Sequence, residues 1–206
     1  MHRRTALSVS AVLLAAAPLL SACSSDARPG TAAVVGGERI TTSALQVQVN
    51  DVRTAQSRSA QSAQAAGTAR LERMKLNNMI QLRILEKTAK DAGITVTTRE
   101  IEDVRKDTAT QSGGAQKMEQ LALARRLPVA PDQIDEDIRF QLLLGKIREK
   151  FGDDAFVPAL TKASGALHIE VNPRYGGWDA KQIALGEGET PWITQRTRPE
   201  QPPAGV

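Results

Sequence analysis

The sequence predicts a mainly α fold of about five to six helices, clasped by a small two-stranded sheet. Apolar residues recur every three or four positions over about 43–164, which is the period of an amphipathic helix. Two segments break that period, "AAVV" (32–35) and "LHIEV" (167–171), and turn residues follow each of them. A lone strand leaves its backbone donors and acceptors unpaired, so we expect these two segments to pair with each other.

Six helical segments follow one another between the two predicted strands. Thr97 and Glu100 have the spacing of a capping box, and so do Ser43 and Gln46. Gly93 suits the position just after a helix end. The predicted helical segments span about 43–64, 68–92, 97–108, 118–127, 131–152 and 153–164.

The first 22 residues have the organisation of a secretory signal. Basic residues at positions 3–4 precede the apolar run 6–20, and small residues follow that run. The run is shorter than the roughly 20 residues that a membrane-spanning helix needs. We therefore expect residues 1–22 to be removed from the mature protein.

The end of this signal is "LSAC" (20–23), which closely resembles the lipobox of bacterial lipoproteins. The resemblance implies that Cys23 becomes the lipidated first residue, that 23–31 is a lipid-anchored tether, and that the lipid bilayer is a partner. It also implies a location at the extracytoplasmic face of the bacterial cell membrane. The alternative is an ordinary secretory signal with a free cysteine.

The charge pattern argues against nucleic acid as a partner. The formal net charge of +4 includes Arg3 and Arg4 of the signal, so about +2 remains without them. Lys and Arg are interleaved with Asp and Glu along the rest of the chain. A nucleic-acid-binding protein would instead show a basic stripe or aromatic platforms.

The composition divides the mature chain into one domain and a tail. We place the domain at 32–180, which is of the usual size for a single domain. The tail, 181–206, is rich in Pro and Gly, and from Gly186 onward Trp192 and Ile193 are its largest apolar side chains. Such a composition predicts a tail that is disordered or loosely docked.

The segment "AAVVGGERITTSAL" resembles the opening of the N-terminal chaperone domains of SurA-type and PrsA-type foldases. The family pattern is a short strand, an Asn-Gly or Asp-Gly turn, a variable pair, and Ile-Thr/Ser before the first helix. Gly36 departs from that pattern mildly, since Gly also tolerates positive φ. The segment "LARRLPVAPDQIDEDIRFQLLLGKI" resembles the family's loop and long helix. The positions that match the opening pattern are Val34, Val35, Gly37, Ile40 and Thr41.

The same resemblance implies a chaperone domain without the family's parvulin isomerase module. That module would need a further stretch of small-domain size and, in the family, carries a pair of histidines in its active site. After the signal, the chain has His168 as its only histidine. Prolyl isomerase activity is therefore the least favoured of the functions we consider.

Other catalytic sites are equally poorly supported by the residue types present. With Cys23 lipidated, the chain offers no Cys/His cluster for zinc and no thiol nucleophile. A triad of His168, Asp179 and a serine is conceivable, but the Gly-x-Ser-x-Gly elbow is missing. We expect no catalytic residue, no metal site and no cofactor.

Five residues are candidates for binding unfolded protein. Adaptable Met and Leu side chains suit varied clients, although ordinary core packing is an equal alternative for those on the second helix. We expect the two aromatic candidates to cover the edge of the sheet and close the fold. The alternative is that they form part of a peptide-binding surface. The candidates are Met74, Met79, Leu82, Tyr175 and Trp178.

These features predict a membrane-anchored, non-catalytic holdase lipoprotein that binds unfolded or assembling secreted proteins. The alternative is a structural or adaptor lipoprotein that binds one specific cell-envelope partner. A broad profile of unfolded clients would favour the holdase, and one stable partner would favour the adaptor.

Overall fold

The structure is a computed structural model that describes residues 29–58 and 67–186. The predicted signal, Cys23, the end of the first predicted helix and most of the tail lie outside the described residues. The described residues form five α-helices, α1 (Thr42–Arg58), α2 (Thr68–Asp91), α3 (Thr98–Ser112), α4 (Ala115–Leu123) and α5 (Ile134–Ala166), and five strands, β1 (Thr31–Val35), β2 (Glu38–Thr41), β3 (Glu170–Val171), β4 (Gly177–Asp179) and β5 (Ala184–Gly186).

The two ends of the domain meet in an antiparallel sheet, as predicted. β1 pairs with β3 so that Ala33 lies opposite Val171 and Val34 opposite Glu170. The sheet has three strands in the order β2-β1-β3, whereas the sequence suggested two. The third strand, β2, forms a hairpin with β1, and the four-residue segment is too short to show a clear strand period.

The turn of this hairpin explains why glycine stands at position 36. Gly36 has φ 61° and Gly37 has φ 82°, a backbone conformation that glycine adopts at little cost. The N–H of Gly36 donates to the carbonyl oxygen of Leu167 at 2.6 Å. A Cβ added at Gly36 would lie 2.7 Å from Cδ2 of Leu167, so a larger residue would require this leucine to move.

β3 is shorter than the predicted strand 167–171. Leu167 is the C-terminal cap of α5, and its N–H donates to the carbonyl oxygen of Ala163 at 3.1 Å. His168 follows with φ 44°, which is outside the strand region, so pairing begins only at Glu170.

The core lies mainly between α2 and α5, which pack extensively against each other. α1 and the sheet cover the same core from another side. The fully buried large aliphatic side chains come from three helices, which explains why the early helices need no aromatic residues. They are Leu45 and Val52 of α1, Leu71, Leu76, Ile80 and Ile84 of α2, and Leu143 and Ile147 of α5.

The helix start signals are confirmed for α3 and differ for α1. Thr97 accepts a hydrogen bond from the N–H of Glu100, whose carboxylate accepts one from the N–H of Thr97, so the predicted capping box is present. α1 begins one residue earlier than predicted. Its cap is Thr41, whose Oγ1 accepts the N–H of Ala44 at 3.0 Å, rather than Ser43.

The predicted fifth and sixth helical segments are continuous except at Gly152. This glycine has φ 71° and ψ 168°, which is not helical, and it separates the two segments within α5. The two predicted segments therefore count as one helix or as two according to how Gly152 is treated, which agrees with the expected five to six helices.

The described structure continues beyond residue 180. β4 and β5 form a second antiparallel hairpin in which Trp178 lies opposite Leu185. Asp179 stabilises its turn, because Oδ1 accepts the N–H groups of Lys181 at 2.8 Å and Gln182 at 3.1 Å. The first residues of the predicted tail thus form part of this hairpin.

Candidate functional site

Two open grooves flank α2, the helix that carries three of the predicted client-binding residues. We call the first the Met79 groove; it has a volume of about 380 Å³. Ile40 of β2 and Ile101 of α3 contribute apolar atoms beside Met79 and Leu82, so the floor comes from three elements. The groove is lined by Ile40, Met79, Leu82, Arg83, Glu86, Ile101, Asp135, Glu136 and Arg139.

The rim of the Met79 groove is charged and its ion pairs link three elements. Arg83 of α2 lies 3.3 Å from the carboxylate of Glu38 in β2 and 3.6 Å from that of Glu86. Arg139 of α5 lies 3.3 Å from Glu86. These pairs are partly exposed, so each contributes little to stability. Their main effect is to fix a polar border around an apolar floor.

The second groove, which we call the arginine groove, has a volume of about 630 Å³. Its lining combines apolar side chains with amides and three guanidinium groups. The residues come from α2, from the loop after α4, and from β5. They are Ala69, Arg70, Arg73, Met74, Asn77, Asn78, Gln81, Arg126, Leu127, Ala184 and Leu185.

Three polar side chains of α2 hydrogen-bond to the backbone of residues 183–186, that is, β5 and the residue before it, beside the arginine groove. Arg73 Nη2 donates to the carbonyl oxygen of Gly186 at 3.0 Å, and Gln81 Nε2 donates to that of Ile183 at 2.9 Å. Asn77 Oδ1 accepts the N–H of Leu185 at 2.8 Å. Residues four apart share one face of a helix, so this row of side chains satisfies backbone groups of a neighbouring strand edge.

The structure brings together two of the three predicted client-binding residues of α2. Met79 and Leu82 both line the Met79 groove and are half-buried. Met74 is also half-buried but lines the arginine groove. At 3.6 residues per turn, positions 74 and 79 point to different sides of the helix. The three side chains therefore do not form one surface.

The two aromatic candidates are part of the packed fold. Tyr175 is 2% exposed and belongs to the main core. Its hydroxyl group has no hydrogen-bond partner among the described residues. Trp178 is half-buried against the same core, and its Nε1 donates to Oγ of the buried Ser164 at 2.9 Å. This placement agrees with the first interpretation, that the pair closes the fold.

One buried charge lies under the junction of α1, α2 and α5. Lys75 is 4% exposed, and its Nζ donates to Oε1 of Gln133 at 2.6 Å. Gln133 in turn donates to the carbonyl oxygen of Gln48 at 2.8 Å. Desolvation lowers the pKa of Lys75 to about 8, although the nearby carboxylates of Glu136, Asp137 and Asp51 oppose that shift. This chain of contacts ties the start of α5 to α1 and α2.

His168 is exposed, and its N–H donates to the carbonyl oxygen of Gly165 at 3.4 Å. Asp179 uses its carboxylate in the turn of the β4–β5 hairpin. Across residues 29–58 and 67–186, no group of three or more His, Cys, Asp or Glu side chains could hold a metal ion.

Sequence reasoning did not find the arginine groove. Arg73, Asn77 and Gln81 are polar residues on a helix with a moderate apolar stripe, and such residues normally face solvent. Their backbone partners in residues 183–186 lie more than 100 positions away along the chain. A regular spacing of four is the only signal that the sequence carries.

In the described part of the chain, no helix is both long enough and apolar enough to cross a membrane.

Comparison with protein families matches residues 4–148 to the SurA-like N-terminal domain. The match includes the β1–β2 hairpin, the residues of α2 that line the two grooves, and the first half of α5. Comparison with curated proteins gave no match, and neither did comparison with solved structures. The matched residues make up well over half of the sequence. The chain therefore belongs to the family of SurA-like N-terminal domains.

Proposed function

We propose that this protein is a membrane-anchored, extracytoplasmic holdase that binds unfolded or assembling secreted proteins without catalysis. The family supports a chaperone-type domain, since the SurA-like N-terminal domain is distinct from the catalytic parvulin module. The lipobox resemblance of residues 20–23 supports anchoring through Cys23.

The observation that carries the proposal is the Met79 groove. Met79 and Leu82 are half-buried at its floor, while charged side chains from β2, α2 and α5 surround it. An apolar floor with a polar border can take up an apolar side chain of an unfolded client and leave the client backbone in water. Methionine adapts to side chains of different shape, which suits weak binding of many clients.

The groove is directly testable with Met79→Gln combined with Leu82→Gln. Because both side chains line the floor, we expect the double variant to bind a fluorescently labelled, permanently unfolded secreted protein about tenfold more weakly, as the loss of one to two buried apolar contacts implies. Fluorescence anisotropy measures this affinity.

The matched control is Val157→Gln, which changes an apolar side chain that is 51% exposed and lies outside both grooves. The control should bind like the parent. If the double variant keeps its circular dichroism spectrum and thermal midpoint and still binds the client as tightly as the parent, the Met79 groove is not the binding site.

A further inference from the structure

We propose that residues 187–193, the start of the C-terminal tail, dock in the arginine groove of the same chain. The proposal identifies an intramolecular ligand, an acidic extended segment with an aromatic anchor. It concerns a different groove from the one proposed for clients, so it stands or falls independently of the holdase function.

The path of the chain delivers the tail to this groove. β5 ends at Gly186, and its neighbours Ala184 and Leu185 already line the groove. Arg73 donates to the carbonyl oxygen of Gly186 at 3.0 Å, so the last described residue lies beside a guanidinium group of the lining. An extended chain advances roughly 3.4 Å per residue, so Trp192, six residues on, can reach about 20 Å.

The charges of the groove and of the tail are complementary. Arg70, Arg73 and Arg126 line the groove, and none of the described residues that line it is acidic. Among the described residues, Arg70 and Arg126 have no carboxylate partner. The tail begins with Glu187 and Glu189. These two carboxylates are thus the first charged groups of the segment that follows the groove-lining residues.

The apolar parts also correspond. Met74, Leu127 and Leu185 contribute apolar surface to a groove of about 630 Å³, which is within the size range of sites that bind small ligands. Trp192 and Ile193 are the large apolar side chains of the tail after Gly186. Burial of an indole ring against such residues is a strong source of affinity. The docked segment would thus extend the interaction that already holds β5 on α2.

The test measures how accessible Trp192 is in the full chain. The sequence has two tryptophans, Trp178 and Trp192, so subtracting the fluorescence of a Trp192→Phe variant isolates the signal of Trp192. We expect a blue-shifted emission and weaker acrylamide quenching than in a synthetic peptide of residues 187–206. Reversing two exposed arginines, Arg70→Glu with Arg126→Glu, should lower the ratio of docked to free tail about fivefold, as expected for two exposed ion pairs.

A charge swap identifies the pairing. Adding Glu187→Arg and Glu189→Arg to the reversed groove should restore the protection of Trp192. The matched control reverses Arg99 and Lys162 to Glu, since both are exposed, lie outside the groove, and change the net charge equally. That control should leave quenching unchanged. If the groove variant loses its circular dichroism spectrum, Glu187→Arg with Glu189→Arg in the otherwise unchanged chain decides, because these positions lie outside the described fold. This tail variant should increase the quenching of Trp192, and unchanged quenching would contradict the pairing.

Three results would overturn the proposal. Trp192 in the parent chain could be quenched as strongly as in the free peptide. It could be protected equally in the parent and in a folded groove variant, which would place the tail elsewhere. Finally, the tail could be free while the groove binds a separate acidic peptide, which would assign the groove to a segment of another protein.

Discussion

Lys75 carries its ammonium group at a place where only 4% of the residue is exposed. Its hydrogen bond to Gln133 and three nearby carboxylates stabilise the charged ammonium group. Desolvation by burial has the larger effect and lowers the pKa of Lys75 to about 8. The sequence of α2 alone does not reveal this buried lysine, because the free-energy cost of burying its charge depends on which groups of α1 and α5 surround the side chain.

The lowered pKa of Lys75 makes stability depend on pH. Between its folded pKa of about 8 and its unfolded pKa of 10.5, the unfolded chain holds a proton that the folded chain has released. The free energy of unfolding therefore rises with pH in that window, by about 2 kcal/mol between pH 7 and pH 10. Lys75→Met removes this rise, which urea denaturation of the parent and the variant across these pH values will measure. Parallel curves for the two proteins would show that Lys75 does not titrate in this way.

Residue identity predicted some local features and missed others for physical reasons. Gly93 and the Thr97–Glu100 pair were recognisable because caps depend on neighbours three or four positions apart. The burial of Tyr175 was not, because it depends on the 3₁₀ turn of residues 173–175 that directs the ring into the core. A turn of that kind has no hydrophobic period.

At the scale of elements, α3 shows how a helix with no fully buried residue is held in place. Ile101 and Val104 are only partly buried against a small apolar cluster. The capping box at its first turn and the contact of Glu100 with Lys146 of α5 fix its start. Hydrogen bonds from Lys146 and Thr97 lower the pKa of Glu100 to about 2.

We expect Thr97→Ala to destabilise the protein by about 1 kcal/mol, because the N–H of Glu100 loses its side-chain acceptor. Thr98→Ala makes the same substitution one residue later, where no cap is involved, and should be nearly neutral. The Thr97 hydroxyl also donates to the ionised carboxylate of Glu100 at 3.0 Å and helps to lower its pKa, so the difference between the two variants should shrink as pH falls from 4.5 toward 2. Urea midpoints at neutral and acidic pH test both statements. Equal midpoints for the two variants at neutral pH would mean that the cap does not stabilise α3.

The elements that the sequence predicted best are those with long apolar periods. α2 and α5 have many turns over which the stripe repeats, and both were predicted within a few residues. β2 and β5 have four and three residues, so no alternation develops. The pairing of β1 with β3 was predictable from a different principle, because two isolated strands at opposite ends of one domain require a partner.

At the scale of the whole molecule, neither groove was predictable from the chain alone. The Met79 groove needs β2, α3 and α5 to surround α2, and the arginine groove needs β5 and the loop after α4. From the sequence, we selected Met74, Met79 and Leu82 of one predicted helix because adaptable Met and Leu side chains suit varied clients. The structure divides them between two sides of that helix.

The proposed membrane attachment also concerns the whole molecule, and it depends on Cys23. Cys23→Ser removes the only thiol in the chain and hence the proposed acceptor for the acyl chains. We expect the parent to sediment with membranes and to incorporate radiolabelled fatty acid, and the variant to do neither. Ser21→Ala is the control, since it keeps the cysteine and a small residue before it. Label in the serine variant would exclude Cys23 as the attachment site.

The holdase function is tested most directly by the aggregation of a chemically unfolded secreted protein. Light scattering should be followed with and without residues 24–206, using an unrelated helical protein of similar charge as the control. We predict suppression at near-stoichiometric ratios for several clients, and weaker suppression by the Met79→Gln, Leu82→Gln variant. If the parent suppresses none of several clients, the holdase assignment is contradicted, and recovery of one stable envelope partner would establish the adaptor instead.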